Sequence, residues 1–231
     1  MVFKTNHGIR IVMFSSNSQK IFIFQKIVVE IIKYIELHSS NKNSLQILED
    51  MKSIQLSEQN KNVEHSENLL KSQSLKFALS TIISNDLLGI RNSILSALGQ
   101  LYWSVDNGDF YEKNSEVGKG YLNGNMNTEL IGPEKGFFRS DQLRLGLFFL
   151  ESDTFYADHM HAAPELYLTL TNSTKWRFGK KNWEEKKAGS IIYNKPFRPH
   201  AMMVGSIPFL SVWCWPNSSN EKCVLLPRIN E

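Results

Sequence analysis

Six short apolar runs separated by turn signals occupy the chain between residues 143 and 215, and this alternation constrains the fold more than any other feature. The runs are Leu143 to Leu150, Glu165 to Thr171, Lys175 to Phe178, Ser190 to Tyr193, Ala201 to Val204 and Phe209 to Trp215. Between them fall Asn172-Ser173, Gly179 to Asn182, Asn194 to Pro196 and Gly205 to Pro208, whose residue types favour tight turns. Several short strands at this spacing predict an all-β sandwich or barrel.

The first hundred residues have a different texture. Ser18 to Leu37 is dense in Ile, Val and Phe with Lys and Glu interspersed, which predicts a helix packed on more than one side. A short helix is expected over 44–53 and a polar loop from Ser57 to Asn68. Helical spacing recurs from Leu69 to Ser84 and from Asp86 to Trp103. In the second of these, Leu87, Ile94, Leu98 and Leu101 form one stripe behind Asn85 as N-cap. From residue 104 Gly and Asn become frequent, through Asn107-Gly108, Gly118 to Gly120 and Gly124-Asn125. The chain therefore divides into an α-helical N-terminal region over 1–103 and a β-barrel domain over 104–231. At 231 residues and 42% hydrophobic content there is enough apolar material for a real core.

Charge and cysteine usage exclude several classes. The formal net charge is only +3, and Lys180-Lys181 and Lys186-Lys187 are solvated turns rather than a nucleic-acid arm. From Ile21 to Leu37 the apolar run is broken by Lys26, Glu30 and Lys33, whereas a membrane span needs about 20 mostly apolar residues. The patch from Ile11 to Phe14 is too short for a secretory leader. Cys214 and Cys223 match no zinc or redox spacing and are expected to be buried free thiols. The expectation is a cytoplasmic enzyme acting on a small molecule, with no nucleic-acid or membrane partner; a homodimer would be unsurprising.

The chemistry concentrates in His159-Met-His161-Ala-Ala-Pro-Glu165-Leu-Tyr167 and in His200, 35 residues past Glu165. Imidazole and carboxylate suit a first-row divalent metal. On a strand, side chains alternate faces, so His159, His161, Glu165 and Tyr167 share one parity and can point the same way. A further ligand must arrive from a distant strand, and His200 is the one other histidine in this half of the chain. Zn, Fe(II) and Mn(II) all accept such ligands, so the metal's identity stays open.

These residues resemble the cupin pattern, in which a His-x-His and Glu motif is followed by a second motif ending in His. Gly189 to His200 has the span of the second motif. Asp153 and Asn172 stand where the first motif begins and ends in Gly, and Lys195 and Phe197 stand where the second has Pro and Gly. All four are turn positions, so they bear on loop shape rather than on ligands. A narrower resemblance covers roughly residues 100–216. Tyr156-Ala-Asp-His159-Met-His161-Ala-Ala-Pro-Glu165-Leu-Tyr167, then Trp176, then Pro199-His200-Ala201-Met202, is similar to the cupin-type dimethylsulfoniopropionate (DMSP) lyases. Glu129 to Pro133 and Leu145-Gly-Leu147 share that similarity.

The resemblance implies a double-stranded β-helix barrel holding Zn, Fe or Mn, and cleavage of DMSP to dimethyl sulfide and acrylate. That reaction is a β-elimination, in which a base removes a proton beside a carboxylate and a neutral sulfide leaves. A divalent cation on the carboxylate offsets the charge that builds there. His159, His161, Glu165 and His200 are the expected ligands, with His159 either a ligand or a residue behind the ligand set. Tyr167 is the first choice for the base; Tyr156 is the second, or orients the substrate. Trp176, Trp213, Trp215 and Phe149 could face a sulfonium cation but equally belong to a barrel core. The same ligands would also serve a cupin dioxygenase or isomerase, or a non-catalytic binding cupin.

Overall fold

The computed structural model describes residues 2–4, 10–12, 16–62, 66, 68, 70–113, 115–217 and 221–227. Two short strands, β1 (Val2–Lys4) and β2 (Arg10–Val12), pair antiparallel near the N-terminus. Four helices follow: α1 (Ser16–His38), α2 (Lys42–Ser53), α3 (Ser72–Ser80) and α4 (Leu88–Ala97). The start of α2 has a local cause, because the Asn41 side chain accepts hydrogen bonds from the N–H groups of Asn43 and Ser44. Asn85 does not cap α4. It opens a 3-10 turn over Asn85–Leu87 that runs into the helix. The polar segment from Ser57 carries another 3-10 turn at Glu58–Asn60; residues 63–65, 67 and 69 of the expected loop and helix start lie outside the described residues, as do 13 and 14 of the N-terminal apolar patch.

The strongly apolar α1 packs on one broad face rather than all round. Phe24, Ile27, Val28, Ile31 and Ile35 are buried, whereas Phe22 and Leu37 are 64% and 79% exposed. Among the described residues no helix is long and apolar enough to cross a membrane.

After α5 (Lys119–Gly124) the chain is strand. In order come β3 (Asn125–Gly132), β4 (Phe138–Arg139), β5 (Leu143–Leu150), β6 (Phe155–Met160), β7 (Glu165–Thr169), β8 (Thr174–Phe178), β9 (Glu184–Lys186), β10 (Ile191–Asn194), β11 (His200–Val204), β12 (Phe209–Pro216) and β13 (Val224–Leu225). They form a six-stranded sheet, β10-β7-β12-β5-β3-β4, and a five-stranded sheet, β13-β6-β11-β8-β9. From β5 to β8 the chain changes sheet at every strand, and again from β10 to β12. This winding between two facing sheets is the double-stranded β-helix of the cupin fold, with the helices outside it.

Strand parity explains why nearly every residue of the six-stranded sheet is buried. One set of side chains, including Leu145, Leu147, Leu166, Leu168, Leu210 and Val212, joins Ile27, Ile31, Leu48 and Leu79 of the helices in a single apolar layer. The alternate set, including Phe148, Tyr167, Phe209 and Trp213, faces Tyr156, Trp176 and Met202 of the five-stranded sheet. The helices thus seal one face of the barrel sheet and leave the other to build its interior.

Candidate metal centre

The His-x-His and Glu motif is divided between two strands in different sheets. His159 lies on β6, His161 follows it in the corner, and Glu165 opens β7. The one-strand parity expected from the sequence is replaced by a turn between sheets, and the side chains meet because both strands face the same interior. His200 opens β11, where it pairs directly with His159 across the strands, their rings 4.1 Å apart. The three histidines can each bring a ring nitrogen within 4.8 Å of the others, a grouping that could hold a metal ion. Oε2 of Glu165 lies 3.4 Å from Nε2 of His161 and 3.3 Å from Nε2 of His200.

The hydrogen bonds of this cluster fit a cation. Each Nδ1 faces a backbone carbonyl two residues away: His159 to Ala157 at 2.9 Å, His161 to Ala163 at 2.8 Å, His200 to Arg198 at 2.9 Å. A carbonyl only accepts, so Nδ1 carries the hydrogen and Nε2 of a neutral ring keeps its lone pair for a ligand. The Nε2 atoms of His161 and His200 are buried with no hydrogen-bond partner, a costly state that a metal ion would relieve. Burial, with the neighbouring imidazoles of His200 and His161, holds His159 well below the usual histidine range. Burial opposes charge on His161 too, but the Glu165 carboxylate outweighs it and the net shift is upward. Burial pushes Glu165 upward, yet His161 and His200 beside it hold its carboxyl well below the usual range. The Nδ1–carbonyl bonds leave Nε2 of a neutral ring open to a cation, and Glu165 supplies an anion, the forms in which these groups bind a metal.

Two residues absent from the sequence-based site fix that anion. Asn194 Nδ2 donates to Oε2 of Glu165 at 3.0 Å, and Trp215 Nε1 donates to Oε1 at 2.6 Å. Asn194 is the cross-strand neighbour of Glu165 in the β10–β7 register, which no sequence motif announces. In the sequence it read as part of a turn.

Both candidate tyrosines reach the same cavity as Glu165. Tyr156 and Tyr167 line it with Tyr121, Phe148, Trp213 and Trp215, and among the described residues no lysine or arginine lines it. The Tyr156 ring stacks on His159 at 4.1 Å. Burial pushes both hydroxyls well above the usual tyrosine range; for Tyr167 the adjacent Glu165 carboxylate adds to this, and for Tyr156 the neighbouring tyrosines do. Of the four aromatics considered for a sulfonium face, Trp213 and Trp215 line the cavity. Trp176 is fully buried and meets the Tyr167 ring edge-on at 5.1 Å, while Phe149 belongs to the outer layer beneath the helices. Tyr111 and Tyr121, from the glycine-rich segment, are buried beside Tyr156, and nothing in that segment's composition marked them. Cys214 and Cys223 are free and buried, as expected.

Comparison with known proteins bears directly on this arrangement. No protein of curated function matches the chain. Two solved structures share its fold across nearly their whole length. The DMSP lyase DddQ from Ruegeria pomeroyi is 18% identical with a TM-score of 0.66, covering 90% of this chain and 98% of its own. A structure from work on the DMSP lyases RdDddP and RnDddQII is 16% identical with a TM-score of 0.64, covering 92% and 100%. The family model of the dimethylsulfoniopropionate lyases matches residues 41–211, a span that takes in α2 to α4, all four metal-ligand candidates and both tyrosines. The chain belongs to the dimethylsulfoniopropionate lyase family, a family of carbon–sulfur lyases.

Proposed function

We propose that this protein cleaves DMSP to dimethyl sulfide and acrylate, with His159, His161, Glu165 and His200 holding a divalent Zn, Fe(II) or Mn(II). The observation that carries this reading is the pair of orphaned Nε2 atoms on His161 and His200, facing one Glu165 oxygen beside an aromatic cavity lined by three tyrosines. When bound, a divalent cation polarises the substrate carboxylate and favours the phenolate of a nearby tyrosine.

The chain's own residues then have separate tasks. Trp213, Trp215 and Phe148 give the sulfonium methyls an aromatic surface and exclude water from it. Tyr167 takes the proton from the carbon beside the carboxylate. The electron pair of that C–H bond forms the carbon–carbon double bond, and the carbon–sulfur pair leaves on the sulfide. Tyr156, stacked on His159, orients the substrate. Two buried free thiols accord with a reducing, cytoplasmic setting.

Headspace detection of dimethyl sulfide from metal-loaded protein and DMSP tests the reading. Wild type should release sulfide, and Tyr167→Phe should lose about 100-fold or more of the rate, the scale of a positioned general base. Metal-loaded wild type that releases none would remove the substrate assignment. A fully active Tyr167→Phe would remove this tyrosine as the base.

A further inference from the structure

Tyr156 and His159 are three residues apart on β6, yet their rings stack at 4.1 Å inside the barrel. On a regular strand, residues three apart point to opposite faces. The register with β11 supplies the reason. Met202 pairs with Tyr156 and His200 with His159, so two steps along β11 match three along β6. Ala157 and Asp158 together stand opposite Ala201, which makes a β-bulge. The bulge shifts the facing of the strand by one residue and frees backbone groups from the ladder. The Ala157 carbonyl faces Nδ1 of His159 at 2.9 Å, and the Asp158 carbonyl accepts from the N–H of Leu226 at 2.9 Å.

A buried ion pair lies on the other face of the same strands. Arg177 of β8 is the partner of Ala201 in the β11–β8 register, so Arg177, Ala201 and the bulge form one row across three strands. Trp176 and Phe178 point into the barrel, and Arg177 between them points out. Its guanidinium reaches across the small Ala201 to both oxygens of Asp158, Nη2 donating to Oδ2 at 2.5 Å and Nε to Oδ1 at 3.4 Å. Arg177 is 7% exposed and Asp158 5%, so water hardly competes for these bonds. The Trp183 ring lies against the guanidinium at 4.6 Å. A two-pronged contact of this kind fixes direction as well as distance.

We propose that the Arg177–Asp158 pair pins the bulge that brings Tyr156 and His159 to one face of β6, and so positions both from the outside of the sheet. The consequence for metal rests on the reading of His159 as a ligand; the placement of Tyr156 against His159 does not. Neither Arg177 nor Asp158 is among the residues lining the cavity, so both are positioning residues.

Removing one partner alone would strand a buried charge and endanger the fold, so the test replaces both, Asp158→Val with Arg177→Met. Apolar side chains can stand in for a buried ion pair with stability retained, but they carry no directed contact to hold a bulge. In metal-free wild type the Hε1 resonance of His159 should lie upfield because the Tyr156 ring is stacked on it, and Tyr156→Leu measures the size of that shift. In the double variant the shift should be lost while Tm is kept. Competition with a chelator should show Zn(II) bound about 10- to 100-fold more weakly, the scale for partners that orient a ligand. A folded double variant with the wild-type shift and the wild-type affinity would overturn the proposal. A crystal structure of the wild type guards against a double variant that fails to fold. A β6 that runs regular from Tyr156 to His159, or an Arg177 turned away from Asp158, would equally overturn it. Wild type that takes up no Zn(II) would remove the metal reading alone, and the His159 resonance would still decide the positioning.

Discussion

Each histidine of the centre is oriented by a carbonyl two residues away along the chain, whereas Glu165 is held by side chains 29 and 50 residues away. That difference explains what was legible at the scale of single residues. A candidate ligand histidine and its local hydrogen bond travel together in a short motif, so His159, His161 and His200, with Glu165, could be picked out as candidates from spacing. Asn194 and Trp215 are brought to Glu165 by strand register, and register is not written in either segment alone. Tyr111 and Tyr121 were hidden for a related reason, since they come from a segment without periodic apolar residues. Partners that orient a ligand contribute to metal binding almost as ligands do. Asn194→Ala should therefore weaken metal binding by about 10- to 100-fold. Competition against a chromophoric chelator measures this directly. An unchanged affinity would show that Trp215 alone holds the carboxylate in place.

At the scale of elements, the apolar runs located β5, β7, β8, β10, β11 and β12 to within a residue or two at most ends. The eight-residue strand β3 was missed because Asn125, Asn127 and Glu129 give it the composition of a loop, although all three are buried. Two of the three departures from glycine in the motif turns have a structural answer. Asp153 and Phe197 both adopt φ of +57°, the left-handed backbone that glycine adopts freely and other residues adopt at a cost. The loop shape is thus kept and the strain accepted. At Phe197 the side chain is 59% exposed, so little burial would be lost on removing it. Its N–H, bonded to the His161 carbonyl at 2.8 Å, would remain. Phe197→Gly should stabilise the protein by about 0.5–1 kcal/mol, raising Tm by roughly 1–4 °C for a chain of this size. Phe197→Ala, which keeps the Cβ, should leave Tm nearly unchanged. A Tm for Phe197→Gly at or below wild type would mean that the turn is not strained.

For the whole molecule, the change of texture near residue 104 falls between α4 and the barrel strands that begin after α5, but the apolar layer ignores it. Leu145, Leu147, Leu166, Leu168, Leu210 and Val212 are each 0% exposed, and they are sealed by residues from α1 to α4. Composition shows that both halves are apolar; it does not show that they bury the same surface. Exposing a buried Leu or Val costs about 1.5–3 kcal/mol. Six such side chains amount to a penalty comparable with the whole stability of an ordinary domain, about 5–15 kcal/mol. Residues 104–231 produced alone should therefore be insoluble, or collapsed without fixed packing, despite containing every metal-ligand candidate and all three tyrosines of the cavity. Within the full chain, Leu147→Ala should lower stability by about 2–5 kcal/mol. Far-UV circular dichroism, dominated by the helices, and tryptophan fluorescence, dominated by the barrel, should then shift to lower denaturant together. A cooperative unfolding transition in the isolated 104–231 piece, or two separated transitions in the full chain, would show that the barrel holds its sheet closed without the helices.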